Sequence, residues 1–555
     1  ADGSSLETLA QPARNGGDER DGLVAIAALA ATLKNDRGPT LVFARWLGAD
    51  AWWLEQWLRG NDYAPVLGRF QTLNDYFLNS TYPDHSTETR ADEYAAPRPA
   101  TGGEDPIGRW ARRERFRRRH EALGALYGLR QIATGGKSEA PQEFFDLAFG
   151  AMEADAALAR LEKSALASFA DVVLTGAAEQ PGYLIVNPSA TPRRTRIFFP
   201  GERLSLKLDS TLRAVQIEKD RTGVALDLPG WGFAWIPRSS HDARAYPLDA
   251  PPLANGKRLR NEFMEVEIDG RTGGVRGIWD VNSGYSRLGQ QLMHGAGGKM
   301  VGSKTTVTAS GPAFGEIVTE GEIIGPDGRR RAGFTQTFRL WRGRPLLEIE
   351  ISLHDVAELG PDPDVDYLAV RWSWPDEKAL VRTPAGAGFQ IHRGERWEAP
   401  TAIELRERHM HLAILPDGLP FHRRFDPRMA DTLLAVRGDT EREFRIGVAV
   451  DYSQALAAAE EFSAPVHCIP VDRGPPRAGA TGWLARLDLR HVHCVGLRPL
   501  EDGRPGVLFR LAEHQNKPGR GDLRFCRDPR SARLVNGRRE LIFDLYPVND
   551  ALTLD

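Results

Sequence analysis

Leu347-Glu348-Ile349-Glu350-Ile351-Ser352-Leu353 alternates apolar and polar residues without a break. A period of two is the mark of a β-strand with one face on a core and the other toward water. The alternation predicts that Leu347, Ile349, Ile351 and Leu353 face a core, and that Glu348 and Glu350 face solvent. The same period governs the chain from about residue 181 onward. Tyr183-Leu-Ile-Val-Asn-Pro188 reads as a strand ending at a turn, and Asn261-Glu-Phe-Met-Glu-Val-Glu-Ile268-Asp-Gly-Arg-Thr-Gly273-Gly-Val275 opens a long β region. Pro326-Asp-Gly328 and Pro416-Asp-Gly418 are turn signals between strands. Only Ser453 to Glu461 suggests a helix. Residues 179–250, 251–480 and 481–555 are therefore expected to form a small β domain, a large sandwich and a C-terminal β domain.

Upstream the period changes. Leu123, Leu126, Tyr127 and Arg130 follow helical spacing after the basic run Arg112 to Arg119. Gly135-Gly136 breaks that helix, and Pro141 sits where a second one can start. Leu158, Leu161, Leu166 and Phe169 then share one side of a third segment. Residues 93–178 are thus expected to form a helical bundle, with the basic run as a solvated face packing on a barrel. Residues 23–34 read as a helix, Pro39 to Leu47 as an apolar strand, and Asp50 to Leu58 as a helix that Asp50 can cap. A strand buried on both faces needs strand neighbours. Residues 1–92 therefore read as the tail of an incomplete β/α barrel. The predicted fold class is multidomain and mainly β: barrel tail, helical bundle, then antiparallel β-sandwich domains.

Composition narrows the function classes. The 555 residues are 41% hydrophobic and 26% charged, ordinary values for a globular protein with several cores. A net charge of -3 gives no basis for a nucleic-acid or anionic-membrane partner. Arginine supplies 62 of the 72 basic residues, which reads as coding bias. No apolar run reaches the ~18 residues of a membrane helix. A soluble protein is predicted, with bacterial cytoplasm and periplasm both open. Three cysteines without regular spacing argue against a disulfide framework.

A few residues carry candidate chemistry. Asp50 follows a predicted strand end, where barrel enzymes project catalytic groups. Trp46, Trp52 and Trp53 beside it could stack on the C–H faces of sugar rings. The same residues also read as a helix cap beside core aromatics. His422 and Arg424 follow a turn, with Asp426 and Asp431 near; they read either as contacts to glycan hydroxyls or as an ion-paired turn. Asp84, His85, Glu88, Asp92 and Glu93 lie in a long loop. His491-Val-His493-Cys494 looks like a metal cluster, but on a strand Cys494 points away from the two histidines, so a surface or interface strand is the expected reading, as for His409-Met-His411. There is no phosphate loop, dinucleotide motif or Ser-His-Asp pattern.

In order and spacing, the motifs resemble the glycoside hydrolase family 38 α-mannosidases, from late in the catalytic barrel to the C-terminus. Leu47-Gly48-Ala49-Asp50-Ala51 is similar to the family's Leu-Gly-Asp-Asp-Phe segment, whose second Asp is the general acid/base. Thr72-Leu73-Asn-Asp-Tyr76-Phe77, Val186-Asn187-Pro188, Asn261-Glu-Phe and Ile278-Trp-Asp280 look like its later landmarks. The resemblance implies a retaining two-carboxylate hydrolase acting on α-linked glycans, with Asp50 as acid/base. It also implies a zinc site with a late histidine near Phe145 to Ala156. That segment holds no histidine here, and the other ligands would precede residue 1. No cofactor is identifiable in this chain. The alternative is a non-catalytic carbohydrate-binding or scaffold protein of the same architecture. On either reading the partner is a carbohydrate, with a further N-terminal segment or chain as a second one. The 555 residues alone are expected to show little or no glycosidase activity and no stoichiometric zinc.

Overall fold

The computed structural model describes residues 104–554, apart from 152, 205, 207, 239–249, 282–283, 296, 386–387, 408–410, 453, 490, 514–518 and 537–538, together with Thr72, Asp75, Leu78 and Pro99. The chain divides into two compact units, residues 1–90 and 91–555. The predicted barrel tail, with its strand, helices and charged loop, lies outside the described residues. The second unit contains the helices from Gly108 onward and every strand among the described residues.

Helix α1 (Gly108–Thr134) is polar in its first half and packed on all sides in its second, where Ala122 through Leu129 are all buried. A helix buried all round needs neighbours on every side. Gly124 and Gly128 allow one of them close: a Cβ at Gly124 would lie 3.2 Å from the Leu497 carbonyl, and one at Gly128 would lie 3.1 Å from the Leu497 side chain. The helix ends at Gly135, whose φ of 67° suits the left-handed cap. Helix α2 (Gln142–Asp146) starts after Pro141, and α3 (Ala154–Val173) buries Leu158, Leu161, Leu166 and Phe169. These helices share a core with Leu184 and Val186 of strand Gly182–Asn187 and with Leu497 and Leu523 far along the chain.

Beyond residue 181 the chain is strand, except for helix α4 (Ala455–Ser463). The centre is a sandwich of two nine-stranded antiparallel sheets. Strand Met264–Ile268 pairs with Val275–Asp280 in one sheet, Val266 opposite Ile278. Met264, Val266 and Ile268 enter the sandwich core while Glu265 and Glu267 stay outside. Asn261 anchors this hairpin. Its side-chain oxygen accepts from the amides of Phe263 and Met264, and its Nδ2 donates to the carbonyls of Trp341 and Arg344. A smaller sheet joins Gly182–Asn187 to strands Gly232–Pro237, His467–Val471 and Thr481–Trp483. A three-stranded sheet comprises Arg193–Pro200, Leu212–Ile217 and Arg221–Leu228. Among the described residues no helix is long and apolar enough to cross a membrane.

The strand Leu346–His354 matches the expected alternation on its inner face: Leu347, Ile349, Ile351 and Leu353 are buried in the sandwich core. Its outer face does not match. Glu348, expected in water, is 0% exposed. Arg196 of the three-stranded sheet and Arg344 each approach it at 2.6 Å, and Arg344 also binds Glu461 of α4. A layer drawn from remote sequence covers this face. Burial alone would raise the Glu348 carboxyl, but Arg196 and Arg344 outweigh it and hold the group below its usual range. Glu350 remains partly exposed and pairs with Arg339 at 2.9 Å.

Candidate functional site

Of the site residues expected from sequence, Asp50, Trp46, Trp52 and Trp53 lie outside the described residues. His422 and Arg424 lie on strand Phe421–Asp426. His422 is 2% exposed; one ring nitrogen meets the Thr432 hydroxyl at 3.1 Å and the other the Ala399 carbonyl at 3.1 Å. Burial pushes its pKa down to about 3, so the ring is neutral. It is a core histidine with no face for a glycan. Arg424 sits 5.9 Å over the Trp397 ring and donates to the His392 carbonyl. Asp431, read as their neighbour, is buried under a two-pronged grip from Arg371. These groups are built into the sandwich because the strand after the turn runs inside the sheet, which the turn signal alone does not reveal.

The stretch expected to correspond to a late zinc histidine runs from the end of α2 into α3. Its aromatic neighbour Phe144 stacks on His120 at 4.6 Å, and His120 hydrogen-bonds the Phe144 carbonyl at 2.9 Å. That imidazole is already engaged. Among the described residues no group of three or more His, Cys, Asp or Glu side chains could hold a metal. Zinc favours nitrogen and sulfur donors, and the described residues do not fit it.

The structure does gather residues that the sequence left scattered. A cavity of about 310 Å³ is lined by α1, the corner after Asn187, Trp231, α4 and strand Val492–Pro499. The buried Asn187 shapes the corner, donating to the Thr191 and Pro229 carbonyls and accepting from the Ser189 amide. Ser189 and Thr191 in turn donate to the two oxygens of Glu460 on α4. His493 lies 3.8 Å from Glu460. On α1, Arg117 bridges Glu114 and Glu121 at 2.5 Å each, and its side chain and that of Glu121 are 50% and 42% exposed, which places them at the mouth. Arg118 is buried against Glu114 and Asp417, with Nη2 buried and unpartnered. Burial raises the Cys494 thiol to about 12, so it stays protonated. Trp231 adopts φ 45°, the left-handed region. Hydrogen bonds on both sides hold it there, from its amide to Ser189 and from Leu484 to its carbonyl.

The basic run therefore does more than solvate a face: Arg118 reaches the sandwich turn at Asp417, and Arg119 reaches Glu162 on α3 at 2.6 Å. His493 and the Val186-Asn187-Pro188 strand end were each legible singly in the sequence. Glu460 was not, since one glutamate on a short helix carries no signal.

No protein-family model matches this chain, and no curated protein sequence does. Solved structures do. A glycosyl hydrolase family 38 protein from Enterococcus faecalis superposes with a TM-score of 0.63 at 11% identity, over 97% of this chain and 80% of that one. The chain has a family 38 glycosyl hydrolase-like fold. An alpha-mannosidase from Enterococcus faecalis V583 matches with a TM-score of 0.56 at 11% identity, over 82% of this chain and 68% of that one. At this identity the likeness is one of fold, and the family 38-like architecture spans nearly all of the chain.

Proposed function

We propose that this chain serves an α-mannosidase-like glycoside hydrolase that cleaves α-linked glycans with retention. The observation that carries the reading is the family 38-like fold over 97% of the chain, joined to the motif Leu47-Gly48-Ala49-Asp50. In a retaining hydrolase one carboxyl protonates the leaving oxygen and another attacks the anomeric carbon, the two about 5 Å apart. Asp50 takes the first role, then deprotonates the water that releases the sugar. The second carboxylate would come from a neighbouring barrel strand. Since only Asp50 is identified in this sequence, turnover by the 555 residues alone should be slow.

The test is hydrolysis of an aryl α-mannoside at high protein concentration, with the product anomer read by NMR. Slow turnover that releases the α-anomer first and is lost in Asp50→Asn supports the reading. Turnover indifferent to Asp50→Asn removes Asp50 from the chemistry. A second reading, a non-catalytic carbohydrate-binding protein, is favoured by one observation: the segment Phe145 to Ala156, which the resemblance aligns with a late zinc histidine, holds no histidine. Saturable binding of methyl α-mannoside without any turnover would select it.

A further inference from the structure

We propose that the cavity between α1 and α4 binds a single neutral sugar residue. The inference goes beyond the hydrolase reading and does not depend on Asp50. Its volume of about 310 Å³ lies at the small end of the ~300–1,000 Å³ typical of ligand sites. The walls decide the ligand's charge. Arg117 and Arg118 line it, and so do Glu121 and Glu460. A cation inside would face two guanidinium groups, and an anion would face two carboxylates. The arginines are also already answered by Glu114, Glu121 and Asp417. Burying an uncompensated charge there is costly, and a purely apolar ligand would strip these groups of water without replacing their hydrogen bonds.

A neutral polyol meets both demands. Each hydroxyl donates and accepts at once, and the walls offer acceptors in Glu460 and Glu121 and a donor in the partly exposed guanidinium of Arg117. The half-buried Leu456 and Val495 supply an apolar surface for the ring's C–H face.

The test is ligand-observed NMR titration of the 555-residue chain with methyl α-mannopyranoside, and separately with inorganic phosphate. The expected result is saturable sugar binding with a Kd of about 1 mM and no comparable phosphate binding. Ala125→Leu fills the cavity wall and should weaken binding about 10-fold or more. Glu121→Gln, an isosteric change at the partly exposed mouth, should weaken it about threefold and decides the matter if Ala125→Leu does not fold. Asp50→Asn should leave the Kd unchanged. Phosphate binding tighter than sugar, no saturable sugar binding, or an affinity indifferent to both cavity variants overturns the proposal. So does sugar binding abolished by Asp50→Asn, which would put the sugar at Asp50 and leave the hydrolase reading standing. Conversely, binding that responds to Ala125→Leu in a protein with no turnover would uphold the cavity while the hydrolase reading fails.

Discussion

Strands Met264–Ile268 and Leu346–His354 obey the same alternation, yet their glutamates meet opposite fates. Glu265 and Glu267 lie at the surface beside Arg258, Arg260 and Arg276, whose side chains are mostly exposed. Glu348 is sealed between Arg196 and Arg344. Nothing in the two strands themselves differs enough to cause this. The cause lies above them: the three-stranded sheet and α4 cover one outer face and not the other. A period of two says which side chains share a face. It does not say whether a second layer lands on the polar one.

The largest effect should come from Glu348→Ala, which leaves two buried guanidinium groups short of a counter-charge. The expected loss is about 3–5 kcal/mol by urea denaturation. A loss under about 1 kcal/mol, the range of surface pairs, would mean that the covering layer is loose. Ile349→Ala and Val266→Ala cut the inner faces, where both residues are fully buried. Each should cost about 2–4 kcal/mol, and costs that differ severalfold would break the claim that the two strands feed one core.

Asp439, also buried, sharpens the contrast, because its neighbour is another acid. Burial and Asp105 raise Asp439 to about 6, against the pull of donors at Val436, Gly108 and Ile107. The folded value lies above the ~3.9 of an unfolded aspartate, so the fold holds this proton more tightly. Stability from Asp439 is full below about pH 4 and is lost as pH rises through about 6. The cost of Asp439→Ala should therefore shrink by on the order of 1–2 kcal/mol between pH 4 and pH 7; denaturation at both pH values checks this, and a cost that grows contradicts it. The smallest effect belongs to Glu267→Ala, at most about 0.5 kcal/mol and fading with salt.

Much of the architecture could be read from the chain because it rests on local pattern. The Leu347–Leu353 alternation, the leucines of α3 and the Gly135 stop are short-range signals, and the expected helix at Ser453 to Glu461 appears as Ala455–Ser463. Coverage could not be read, because it joins remote segments: Arg196 to Glu348, and Arg118 to Asp417. The site divides the same way. His422 looked available beside its turn and lies inside the sheet. Glu460 looked ordinary and lines the cavity, because Ser189, Thr191 and His493 converge on it from other parts of the chain. Asp50 rests on its motif alone.

Hydrolysis of an aryl α-mannoside, compared between the wild-type chain and Asp50→Asn at matched thermal stability, tests the functional reading most directly. The prediction is that whatever slow turnover the chain shows falls about 100- to 10,000-fold in Asp50→Asn, the range expected for loss of a general acid/base. Equal rates for the two proteins would contradict it.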